Sequence, residues 1–140
     1  VLENHPITSG LPAEFQMTDE LYLSEVFTDS IEPLLTSSYD FTRDNFYSAT
    51  KAVKDGRMFD NEGWEHPDGS NVVGWVKHYR NSPIAYMQGG DDPEAYSSMH
   101  YRQLLQNTIH WASVNYFEGS YPTTPQLHQA AQTKKYNSPL

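Results

Sequence analysis

Between Ser82 and Ala112 the sequence changes period, and that change constrains the fold more than any other stretch of the chain. Pro83-Ile84-Ala85-Tyr86-Met87 is a short apolar run of buried-strand type. From Tyr101 onward, Tyr101, Leu104, Leu105, Thr108, Ile109 and Ala112 recur at the spacing of a helix docked on a core, and Ser98 is placed to cap it. Gly89-Gly90-Asp91-Asp92 joins the two, where a strand's carboxyl end meets a helix. In open α/β sheets, ligands bind at such positions.

The remaining elements follow from local signals. Val72 to Val76 reads as a strand, and Tyr79-Arg80-Asn81-Ser82 as a turn that pairs it antiparallel with the run at Pro83. Ile31 to Ser37 reads as a strand with Pro33 near its start. Residues 1–12 read as a strand end entering a turn at Gly10-Leu11-Pro12. Phe15-Gln16-Met17 is a short alternating strand. Thr18 fits an N-cap with acids behind it, and Leu21 to Phe27 equally fits an alternating strand. Residues 36–71 form an unusually long connection, with one helix expected over Arg43 to Lys54. After Trp111 the periodicity ends, so residues 115–140 read as an extended tail, with one helical turn at Leu127 to Ala131. The division is a domain over 1–114 and a tail over 115–140.

A chain of 140 residues has a one-domain length. Its formal charge is −9, and residues 1–42 hold eight acids with no Lys or Arg before Arg43. Such a surface repels phosphate backbones, so nucleic acid is not an expected partner. No basic amphipathic helix and no apolar run of membrane-spanning length is present, so no membrane partner is expected. The absence of cysteine excludes thiol chemistry and leaves the compartment open.

Several residue groups carry candidate chemistry. The two glycines let backbone approach a ligand, and Asp91 can bind hydroxyls or act as a base; the other reading is a tight turn with solvated acids. Asp19 and Glu20 form a candidate carboxylate pair, but sequence neighbours point apart, so one at most faces a site. Trp64-Glu65-His66 and the aromatics Tyr39, Phe41, Tyr47 and Phe59 can stack on sugar rings, or simply pin a long loop. The six histidines show no metal-ligand spacing, and His100 and His110 read as solvated. No metal site and no cofactor are predicted, although the acids leave a divalent ion open.

Taken in order, His5-Pro6-Ile7-Thr8 with Gly10-Leu11-Pro12, Asp19-Glu20-Leu21-Tyr22, Pro33-Leu34-Leu35-Thr36, Val73 to Tyr79 and Tyr86 to Ala112 resemble the ThuA-like (trehalose-utilisation) family. That family lies within the class I glutamine-amidotransferase-like superfamily. The resemblance spans about residues 3–113 and implies a flavodoxin-like three-layer α/β sandwich. It implies that this chain is the C-terminal portion, with an antiparallel hairpin and a long insertion, and that an N-terminal half or a second copy completes it. Many members have Gly-His where this chain has Gly89-Gly90-Asp91, so Asp91 is a positional substitute. The superfamily's cysteine nucleophile is absent, which disfavours glutamine amidotransfer. The expected role is carboxylate acid/base chemistry on a small carbohydrate, the alternatives being a non-catalytic sugar- or protein-binding module or a subunit completed by another chain. The candidate catalytic residues are Asp91, Glu20 and Asp19, and the candidate substrate-binding residues are His5, Tyr22, Trp64, His66, Gly89 and Gly90.

Overall fold

A computed structural model describes residue 1 and residues 4–118, with side chains to residue 114. Its centre is a three-stranded antiparallel sheet in the order β1-β2-β3, formed by Glu32–Thr36, Val72–Tyr79 and Ser82–Met87. β2 and β3 form the expected hairpin. Their last pair is Tyr79 with Ser82, so Arg80-Asn81 makes the turn and Arg80 sits at φ +55°. Pro33 is tolerated because β1 is an edge strand, where a missing N–H leaves no central ladder bond unmade. Gly74 is required by packing: a Cβ there would stand 2.8 Å from Leu35 Cδ1 and 3.0 Å from Met87 Sδ. On β2, Val72, Gly74 and Val76 are buried while Val73, Trp75 and Lys77 are half-buried. Trp75 stacks on its cross-strand partner Tyr86 with ring centroids 5.2 Å apart.

Three α-helices follow the local cues. α1 spans Ala49–Asp55, with Ser48 as its N-cap and Gly56 in the left-handed region at φ +65° as its C-cap. α2 spans Pro93–Ser97; Pro93 occupies its first turn and the Asp92 carboxylate accepts from the Glu94 and Ala95 amides. α3 spans Met99–Glu118, and Ser98 Oγ accepts from the Tyr101 amide at 3.3 Å. Its buried line runs Tyr101, Leu104 and Trp111, packed with Ile7, Leu34, Leu35, Val76 and Ala95. Ile7 and Leu34 have no exposed surface; burying such a side chain contributes about 1.5–3 kcal/mol.

Several expectations change. The helix face turns away from Ile109, which is 71% exposed, and toward Trp111, which is 7% exposed, because the His5 and His78 rings lie against the indole. The helix also continues past the expected end of the domain, to Glu118. The rest of the expected tail, including Leu127 to Ala131, lies outside the described residues. β3 is half-buried along its whole length rather than buried. His110 is exposed as expected, but His100 is half-buried, with its ring 5.5 Å from Phe15. The first residues form a 3₁₀ turn, Pro6–Thr8, rather than a strand end, because His5 Nδ1 accepts the Ile7 amide and fixes its start. The helix expected over Arg43 to Lys54 divides into a 3₁₀ turn, Arg43–Asn45, and α1. Phe46 lies between the two pieces, buried among Tyr39 and Phe41.

Residues 13–27 form neither the helix nor the strands expected there. They run extended, with Phe15, Met17, Asp19, Leu21 and Leu23 half-buried and the even-numbered residues between them exposed. The period-2 alternation is real, but the ladder is missing. The buried Gln88 side chain takes the place of a strand partner: it accepts from the Tyr22 amide at 3.3 Å and donates to the Tyr22 carbonyl at 3.1 Å. Pinned this way, the segment crosses the ends of β1 and β3.

Candidate functional site

The extended segment and the strand ends enclose a groove of about 1180 Å³. Leu35, Val73, Met87 and Leu104 supply apolar lining, while Glu14, Asp19 and Glu20 supply carboxylates. Among the described residues no Lys, Arg or His side chain lines it. The groove lies where β1 and β3 end, beside the Gly89-Gly90-Asp91 turn.

That turn is held from two sides. Asp19 Oδ2 accepts the Gly90 amide at 2.6 Å, and Oδ1 accepts the Asp91 amide at 3.3 Å. Opposite, the Tyr101 hydroxyl donates to the Gly89 carbonyl at 2.5 Å. Burial, then the neighbouring Tyr96 and Asp19, raise the Tyr101 phenol above its ordinary pKa, so it remains a donor. Both glycines are needed. A Cβ on Gly89 would meet Asp19 Oδ2 at 2.7 Å, and Gly90 has φ +117° with the Tyr101 oxygen 2.5 Å from the place of a Cβ.

The held turn aims Asp91 at Tyr22. The Tyr22 hydroxyl lies 3.1 Å from Glu20 Oε2 and 3.2 Å from Asp91 Oδ1. Glu20 and Tyr22 share a face because they are two apart on an extended chain. The hydrogen bond to Glu20 first, then burial and the bond to Asp91, push the Tyr22 phenol up to about 12. It therefore carries its proton across the physiological range. One hydroxyl proton cannot be given fully to two carboxylates. One of the pair is left able to accept from an incoming hydroxyl.

The structure thus brings together Asp19, Glu20, Tyr22, Gly89, Gly90 and Asp91. It does not bring His5, Trp64 or His66 to them. His5 caps the first 3₁₀ turn and lines a separate cavity of about 410 Å³ with Asp29, Glu32, Lys77, His78 and Trp111. The Trp64 and His66 rings lie 5.6 Å apart, and His66 Nδ1 is 2.7 Å from the Pro67 carbonyl. Asp92 is occupied as the α2 cap. Among the described residues no three Asp, Glu or His side chains gather in a metal-holding group. Among the described residues no helix is long and apolar enough to cross a membrane. Sequence reasoning missed Gln88 and the hydroxyl of Tyr101. The signal for Gln88 was a polar residue closing an apolar strand; Tyr101 reads from the sequence only as a core position.

A family model described as ThuA, trehalose utilisation, matches residues 1–112, a span that contains every residue of the groove. No curated protein and no solved structure matches the chain.

Proposed function

The chain belongs to the ThuA (trehalose-utilisation) family, and from that premise we propose that the groove binds an uncharged sugar or glycoside on which Glu20 and Asp91 act as acid and base. The observation that carries this reading is the Tyr22 hydroxyl placed between their two carboxylates. Hydrolysis, elimination and isomerisation of a sugar each need one group to take a proton and another to give one. The apolar lining suits the C–H face of a sugar ring, and the carboxylates suit its hydroxyls. A lining without Lys or Arg among the described residues disfavours sugar phosphates. We take the sheet as part of a flavodoxin-like three-layer sandwich, in which ligands sit beyond the carboxyl ends of strands; the groove's place at the ends of β1 and β3 supports this.

A second reading, a sugar-binding module without turnover, draws on the exposure of Glu20 and Asp91, because acid/base groups work best where water is excluded. Asp91→Asn and Glu20→Gln separate the two when wild type and variants are assayed against trehalose and a panel of α- and β-glycosides. Acid/base roles predict a loss of about 10²- to 10⁴-fold in turnover with unchanged thermal melting. Full turnover in both folded variants sinks them. Binding by the wild type with no turnover on any substrate selects the module.

A further inference from the structure

Asp19 reads from the sequence as a catalytic candidate, but its oxygens are already engaged. Oδ1 accepts from the Glu20 amide at 2.9 Å as well as from the Asp91 amide, and Oδ2 accepts from Gly90. A single carboxylate therefore holds the backbone of both residues whose side chains meet at Tyr22. We infer that Asp19 is the positioning residue of the groove, fixing Glu20 and Asp91 at one distance across the Tyr22 hydroxyl through their own amides. The inference rests on the proposed function for the roles of Glu20 and Asp91, and on the hydrogen bonds of Asp19 for the rest.

The chemistry requires a carboxylate. Three amide N–H groups converge on two oxygens, and a charged acceptor holds each more strongly than a neutral one. Asparagine keeps the shape but turns one end into an N–H₂ donor facing an N–H donor. The turn has no slack to compensate: the Asp19 oxygen stands 2.7 Å from the place a Cβ on Gly89 would take, and Tyr101 closes the far side. Losing the clamp frees Asp91 to leave Tyr22 while the core beneath is untouched. Tyr101→Phe is the contrasting change, since it loosens the same turn and leaves Asp19 in place.

The test needs no sugar, so its failure is distinct from failure of the acid/base reading, which turnover of Asp91→Asn decides. Tyrosine-ring ¹³C signals are followed to alkaline pH, with Tyr22 assigned by its loss in Tyr22→Phe. Asp19→Asn is expected to lower the Tyr22 midpoint by about one unit or more, and Tyr101→Phe to leave it in place. A Tyr22 midpoint unchanged in folded Asp19→Asn overturns the inference, as does an equal shift in Tyr101→Phe. In the wild type, an acid titration gives a second reading that no folding defect can block. The Glu20, Gly90 and Asp91 amide protons are expected to move together with the Asp19 carboxyl carbon. Amides that move with different midpoints overturn the inference.

Discussion

The groove and the loop over residues 38–71 both collect aromatic and charged side chains, yet they use them in opposite ways. In the loop the charged groups pair with one another, although Asn61 Oδ1 is buried without a hydrogen-bond partner. Arg43 pairs with Asp44 at 2.7 Å and Glu65 at 3.2 Å, and its amide donates to Asp68. Arg57 pairs with Asp60 and Glu62, each at 2.5 Å. Tyr39, Phe41 and Phe46 pack together, and Trp64 lies against His66. At the turn beside the groove the partners come from chain positions 66 to 72 residues apart, and two carboxylates converge on one hydroxyl.

Changes in the groove should therefore reach function and changes in the loop should not. The largest effect is expected from Gly90→Ala, which forces a side chain into φ +117° and against Tyr101. We expect a stability loss of about 1–3 kcal/mol by thermal melting, with turnover lost alongside. A melting curve like the wild type's would mean that the turn is not held as described.

Next comes a pH effect at Tyr22. Its folded-state pKa, about 12, lies above the ordinary value of 10.0. The stabilisation linked to it is fully present below pH 10 and is lost as pH rises toward 12, because the phenolate meets two carboxylates. Tyr22→Phe should unfold less steeply with alkali over that window than the wild type does. Identical profiles would detach Tyr22 from the two acids.

The smallest effect is expected in the loop. Trp64→Ala should change turnover and sugar affinity by less than about threefold, since its partner is His66 within the same loop. A tenfold or greater loss would bring the loop into the site and end the contrast.

Local chemistry explains what was legible in the sequence. The β2–β3 hairpin, β1 and α3 announce themselves through apolar periodicity and turn residues, and Ser98 and Gly90 carry their conformational reasons with them. The alternation was legible at Phe15 to Met17 and from Leu21 onward, but not its continuity through Thr18 to Glu20 nor what it pairs with, because a Gln88 side chain stands in for a strand. For the candidate site, the glycine–acid turn was visible as a position. That Asp19 would clamp it, that Tyr101 would close it, and that Tyr22 would join Glu20 to Asp91 depend on contacts between residues 12 to 72 positions apart, which no local pattern records. Trp64, His66 and His5 have residue types that suit sugar binding, but local partners hold them apart from the Asp19, Tyr22 and Asp91 cluster.

The central claim is that Glu20 and Asp91 act as one unit through Tyr22. A double-mutant cycle tests it most directly, comparing turnover of a glycoside by Glu20→Gln, Asp91→Asn and the pair. Residues that work as a unit are strongly non-additive, so the double variant is predicted to lose little more than the worse single variant. Losses that multiply, each variant contributing its full factor independently, would contradict the account.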